Sequence, residues 1–167
     1  MLYRILDTLD ANIGFERAAA HCDIPCKIYD PMPAQIAALT VIRMVDQIEE
    51  IEQKGDLGPR DHAAISRLIE TKEEHAEQVK HDVRVIWGDY FKEPQFEKVP
   101  NAHELVHNIM LKGSKCKQTI DREAATELLK LVNEFAEGFW KTKDVKTYRA
   151  VCPYPPNEET VYPKLDG

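Results

Sequence analysis

Between residues 33 and 140 apolar side chains return every three or four positions, and that period leaves the chain few ways to fold. The first run carries Ile36, Leu39, Val41, Val45, Ile48 and Ile51 over residues 33 to 53. Pro33 suits its first helical turn, and Gly55 sits just past its end. The second runs from about Pro59 to Trp87 through Ile65, Leu68, Ile69, Ala76, Val79, Val83 and Ile86. Gly58-Pro59 opens it, and Gly88 is its expected stop. A third, shorter run holds Ala102, Leu105, Val106, Ile109 and Met110 and is expected to end at Gly113. The fourth sets Ala125, Leu128, Leu131, Val132, Phe135, Phe139 and Trp140 along one side, with Asp121 placed as its N-cap. No alternating pattern competes with these. Four amphipathic helices with short connections predict an all-α, up-and-down four-helix bundle.

The stretch "DYFKEPQFEKVP" between the second and third helices reads as an aromatic connector broken by Pro94 and Pro100. The final "CPYPPNEETVYPKLDG" holds Pro153, Pro155, Pro156 and Pro163 and is not helical. It reads as an extended C-terminal tail, either docked on a neighbour through Tyr154 and Tyr162 or loose.

A length of 167 residues suits one domain with a real core. The formal charge of −7 argues against nucleic acid or an anionic membrane as the main partner. No stretch approaches the roughly 20 apolar residues that span a bilayer. The N-terminal "MLYRILDTLDANIGFE" sets Leu2, Ile5, Leu6, Leu9 and Ile13 at helical spacing but carries Asp7, Asp10 and Glu16, so it is no secretory core. Residues 1–20, ending in "ERAAA", read as a leader removed by proteolysis between Ala20 and His21 without export, which implies a cytoplasmic home. In a reducing compartment, a close His/Cys cluster points to metal or redox chemistry rather than to a disulfide.

That cluster is "HCDIPCKIYDP", residues 21 to 31. Once the chain begins at His21, its α-amine is free, with an unperturbed pKa near 8. The amine and the Cys22 backbone nitrogen close one five-membered chelate ring, and that nitrogen and the Cys22 sulfur close a second. Cys26, returned by the turn at Asp23, Ile24 and Pro25, supplies a fourth corner. Planar N/S coordination suits Ni(II) or Cu(II), whereas Zn(II) prefers a tetrahedron. The His21 imidazole can add an axial donor, and thiolate and anionic amide donors both stabilise Ni(III). With Ala20 attached the His21 nitrogen is an amide, so cleavage would complete the site.

The spacing His-Cys-x-x-Pro-Cys-x-x-Tyr-Asp-Pro resembles the nickel hook of the nickel superoxide dismutase family. The resemblance continues in "VIWGDYFKEPQFEKVPNAHELVH" (85 to 107) and "FWKTK" (139 to 143), so it spans most of residues 21 to 143. It implies a bacterial cytoplasmic antioxidant enzyme: a homohexamer of four-helix bundles with one nickel ion per subunit and a dedicated protease for the leader (propeptide). The reaction implied is disproportionation of superoxide to dioxygen and hydrogen peroxide by Ni(II)/Ni(III) cycling. By position, His21, Cys22 and Cys26 would be the metal ligands. With Tyr29, whose hydroxyl would lie near the open face, they would form the catalytic set. Asp23, Pro25, Tyr29, His75, Asp89 and Tyr90 would surround that set, Asp89 and Tyr90 by packing a neighbour's hook across an interface. From charge rather than from the resemblance, Lys27 and Lys92 are expected to steer superoxide, since local positive charge in a negative chain raises an anion's on-rate. The expected division is a leader at 1–20, the hook at 21–31, the bundle at 32–148 and a Pro-rich tail at 149–167.

This chain departs from the family pattern at Lys27, where many members carry glycine. Ala37 and His75 stand where some members use Glu and Arg to orient the axial imidazole, and His75 or water is expected to take that role. The remaining histidines, including His103 and His107 four apart, read as surface or interface residues, and Cys116 and Cys152 as free thiols. Two rival functions share the hook: nickel or copper delivery, and a dithiol redox protein. An amide-ligated site made by proteolysis is poorly suited to releasing metal. A dithiol leaves the placement of His21 unexplained. Tyr29, ordered water and the thiolates all remain candidate proton donors.

Overall fold

The computed structural model describes residues 27–165. Its four long helices are α1 (Met32–Glu52), α2 (Pro59–Val85), α4 (Ala102–Gln118) and α5 (Arg122–Thr142). A π-helical turn, Ile86–Tyr90, extends α2, and a short α3 (Glu93–Lys98) lies in the connector. Each long helix packs on its neighbour in sequence and α5 closes against α1, which is the up-and-down bundle the periodicity predicts. Ile42, Val45, Ile48, Val79, Val83, Ile109, Leu128, Val132, Phe135 and Phe139 fill the centre, all fully buried.

Helix starts follow the local chemistry. Pro33 occupies the first turn of α1. The Asp61 carboxylate accepts the Gly58 N–H at 3.1 Å at the head of α2. Asp121 caps α5 by accepting the Ala124 N–H at 2.9 Å.

Glycine and proline mislead in three places. Gly113 does not end its helix: α4 runs on to Gln118, and an added Cβ at residue 113 would lie 2.9 Å from Cγ of Lys80. The glycine serves close approach of α2 to α4, not termination. Gly88 does not stop α2 either; it lies inside the π turn, which closes with the Phe91 N–H donating to the Ile86 carbonyl at 3.2 Å. Pro94 sits in the first turn of α3, where a missing N–H does no harm, so the connector is partly helical.

The tail is extended, and it is ordered by pairing. β1 (Thr147–Val151) and β2 (Glu159–Pro163) form an antiparallel hairpin in which Tyr148 faces Tyr162. It docks on its own bundle through buried amides. Gln35 Nε2 donates to Asn133 Oδ1 at 2.9 Å and to the Val161 carbonyl at 3.0 Å. Asn133 Nδ2 donates to the Glu159 carbonyl at 2.8 Å. Arg122 ties the same corner by pairing with Asp46 at 2.8 Å and Glu158 at 2.9 Å.

Among the described residues, the most buried cation is Lys72, at 1% exposure. Burial pushes its ammonium below the usual lysine range. It donates to the carbonyls of Cys116, Lys117 and Thr119, groups that the end of α4 otherwise leaves without partners. Lys72→Ala removes a packed stem and strands those carbonyls, so we expect a loss of about 3 kcal/mol in urea unfolding. Lys72→Met restores the stem and is expected to recover part of that loss. Wild-type stability in the alanine variant would show that solvent satisfies the carbonyls.

Candidate functional site

His21, Cys22, Asp23, Pro25 and Cys26, with the cleavage position at Ala20, lie outside the described residues. The chain enters view at Lys27, directly after Cys26. Lys27 has φ of 60°, the left-handed region that glycine adopts freely and that costs other residues roughly 1–2 kcal/mol. The same turn carries Ile28 into solvent and brings Tyr29 down onto the bundle. Asp30 accepts the Met32 N–H at 2.8 Å, which fixes how the hook segment joins α1.

Tyr29 packs on Tyr90 with ring centroids 5.7 Å apart, so two of the sequence-derived residues meet. Tyr90 comes from the π turn and lies against Phe139 at 5.1 Å and Phe91 at 5.7 Å. Its hydroxyl is 2.7 Å from Thr142 Oγ1. The Thr142 hydroxyl donates to the Phe139 carbonyl at 2.6 Å, which leaves the Tyr90 O–H as the donor of the pair. The ammonium of Lys143 sits 4.7 Å from the Tyr90 ring centre and 5.1 Å from that of Phe139. Tyr90 is therefore held on its edge, at its hydroxyl and on its face.

Beside this pair a cleft of about 250 Å³ is lined by Ile28, Tyr29, Asp30, Pro33, Asp82, Val85 and Ile86. Asp89, next to Tyr90 in the π turn, is exposed. Lys92 is exposed as well, and its ammonium turns back to the Gly88 carbonyl at 2.9 Å, over the same turn. His75 shares a helical face with Asp82, about 10 Å further down α2. Its Nδ1 lies 2.8 Å from the Thr71 carbonyl, so that nitrogen carries the proton and Nε2 is left to accept. Ala37 is buried in α1 at 1% exposure.

Other sequence features take structural places. His103 accepts from the Trp87 indole at 3.2 Å and stacks on Phe96 at 4.3 Å, while His107 is exposed. Cys116 and Cys152 are buried free thiols. Burial pushes the Cys116 thiol up to about 11, away from reactive thiolate character. Among the described residues, no group of three or more His, Cys, Asp and Glu is placed to hold a metal ion.

Thr142 and Lys143 lie some 50 positions from Tyr90, so no spacing points to them, and only the "FWKTK" resemblance marks their segment.

A family model described as nickel-containing superoxide dismutase matches residues 16–143. The Streptomyces coelicolor protein named superoxide dismutase [Ni] is 36% identical over 125 residues, 75% of this chain and 89% of that protein. Its Streptomyces seoulensis counterpart is 35% identical over 127 residues, 76% of this chain and 91% of that one. Among solved structures, native nickel superoxide dismutase superposes with a TM-score of 0.63 at 36% identity, covering 74% of this chain and 99% of that one. A nickel-containing superoxide dismutase with ligation corresponding to the oxidised state gives 0.65 at 33% identity over the same shares. The family match ends at residue 143, so the β1–β2 hairpin lies beyond it. The hook spacing, the Tyr29–Tyr90 contact and the bundle all fall inside the matched segment, and the chain belongs to the nickel-containing superoxide dismutase family.

Proposed function

We propose that this chain dismutes superoxide at a nickel site held by His21, Cys22 and Cys26 and completed when residues 1–20 are removed. Family membership makes the chain an oxidoreductase, a nickel-dependent superoxide dismutase with superoxide as substrate. The observation that carries the residue-level reading is the junction at Lys27. The donor set for planar nickel ends at Cys26, one residue before the described chain, and Tyr29 then packs at once on Tyr90. Amine, amide and thiolate donors match nickel better than zinc.

When bound, nickel supplies the one-electron couple, Ni(II)/Ni(III), that oxidises one superoxide to dioxygen and reduces the next, with two protons, to hydrogen peroxide. The protein's part is to admit a small anion, exclude larger ones and deliver protons. Tyr29 is the polar side chain nearest the hook in sequence that the bundle fixes, which suits it to orient substrate or water at the open face. Tyr90 fixes Tyr29 and is itself fixed by Thr142. Lys27 and Lys92 add positive charge beside this aromatic pair, and Asp23, Pro25, Asp89 and His75 complete the surroundings. His75, with Nε2 left to accept, suits the role of orienting the His21 imidazole, directly or through water.

The division into leader (1–20), hook (21–31), bundle (32–148) and Pro-rich tail (149–167) belongs to this reading. So do a leader-processing protease, a homohexamer and a bacterial cytoplasmic setting. No helix among the described residues is long and apolar enough to cross a membrane.

The test is superoxide decay followed by stopped flow with the chain beginning at His21. We expect fast decay with nickel and background decay with zinc or no metal. Equal turnover with zinc would overturn the donor-set argument.

A further inference from the structure

Lys143 holds the face of Tyr90, yet its charge has no counter-ion among the described residues. It follows the last turn of α5, is exposed, and among the described residues enters no ion pair. The carboxylate next to it, Asp144, is taken by Lys98 at 2.7 Å. Lys98 also donates to the Thr142 carbonyl at 3.2 Å, which steadies the backbone that carries Lys143. Glu137, nearly two turns back on α5, is taken by Arg149 at 2.8 Å. The charge of Lys143 is thus left available in a chain whose formal charge is −7. Its position is fixed all the same, because the ammonium rests on the faces of Tyr90 and Phe139. Tyr90 is the ring that packs on Tyr29.

We propose that Lys143 is a positioning residue for the substrate: its ammonium, seated on Tyr90, draws superoxide toward Tyr29, the ring that packs on Tyr90 and lines the cleft. This rests on the dismutase reading above and names a further residue for that site. A fixed positive charge beside a small opening raises the local concentration of a monovalent anion, and the effect fades as salt screens it. Lys27 and Lys92 flank the aromatic pair in sequence, and Lys143 adds a third cation from the far end of the chain, seated on the Tyr90 face.

A lysine at a helix C-terminus also complements the helix dipole, so the test has to separate steering from stabilisation. Lys141 supplies the control: it carries the same charge in the last turn of α5, whereas the ammonium over the Tyr90 ring is that of Lys143. With the nickel-loaded chain beginning at His21, Lys143→Gln is expected to lower kcat/KM about three- to fivefold near 0.01 M ionic strength, where the screening length is roughly 30 Å. The deficit should shrink to nearly nothing by about 0.5 M salt, where that length is only a few Å. Lys143→Arg should keep the wild-type salt profile, and Lys141→Gln should match wild type throughout.

A second readout needs no turnover. In the metal-free chain, azide is expected to shift the ring NMR signals of Tyr90 and Tyr29 in a saturable way, and Lys143→Gln should abolish that. The inference falls if Lys143→Gln keeps the wild-type salt profile, if its deficit ignores salt, if Lys141→Gln copies it, or if azide moves neither ring. If the unsubstituted nickel-loaded chain fails to turn over, the dismutase reading is what fails, and the azide titration then decides Lys143 alone.

Discussion

Loaded with nickel, the chain beginning at Met1 is expected to leave superoxide decay at background, while the chain beginning at His21 accelerates it by at least about 10³-fold, a barrier difference of roughly 4 kcal/mol. The difference comes from one nitrogen. As an α-amine with a pKa near 8, the His21 nitrogen becomes a neutral donor at the cost of one easily removed proton. As the amide that follows Ala20 its lone pair is delocalised into the carbonyl, and it could bind only as the Cys22 nitrogen does, by giving up an amide proton, a far costlier step than the α-amine requires. The imidazole loses its reach at the same time, since its chelate ring is closed through that amine. Superoxide decay and bound nickel should be measured on both forms, because the two can part. Equal activity would remove the amine from the ligand set. Nickel bound by both forms with neither active would favour a carrier.

Cys22→Ser and Cys26→Ser are each expected to abolish turnover and to lower nickel affinity at least about 100-fold, seen as loss of stoichiometric metal after desalting. Sulfur matters here for charge as well as size. A cysteine thiol near pKa 8.5 yields its proton to a metal readily, and the thiolate is soft enough to hold planar nickel. A serine hydroxyl keeps its proton under the same conditions and offers a hard, neutral oxygen. The buried thiols supply the internal contrast. Cys116, whose pKa burial raises to about 11, should be replaceable by alanine without any change in nickel content. Full metal occupancy in either hook variant would mean that the sequence-derived ligand set is wrong.

Much of the architecture was legible because helices announce themselves locally. The apolar stripe of α5 and the capping carboxylate of Asp121 lie within one stretch of chain, and the structure places them as the periodicity predicts. The glycines were harder to read. Gly113 has the composition of a helix end, but its reason for being glycine is Lys80, some 30 residues away in another helix. The hairpin was hidden for a related cause: its strands are five residues each, its prolines crowd the turn and the last ladder position, and its docking amides Gln35 and Asn133 look like surface residues. At the candidate site, the hook's ligand spacing was visible because chelation demands closeness in sequence. The hold of Thr142 and Lys143 on Tyr90 was not, because packing of that kind has no sequence period.

The π turn at Ile86–Tyr90 turns this into a matter of length rather than identity. A helix that takes in one extra residue resets the phase of everything after it by about 100°. Here that reset points Tyr90 inward at Phe139 and delivers Phe91 to the core. A side chain at Gly88 would meet nothing within 4 Å, so the residue there is free to change. Its presence is not. In a lineage that drifts by substitution, the segment can vary freely at this position, whereas loss of a single codon would turn Tyr90 away from Tyr29 with every neighbouring residue unchanged.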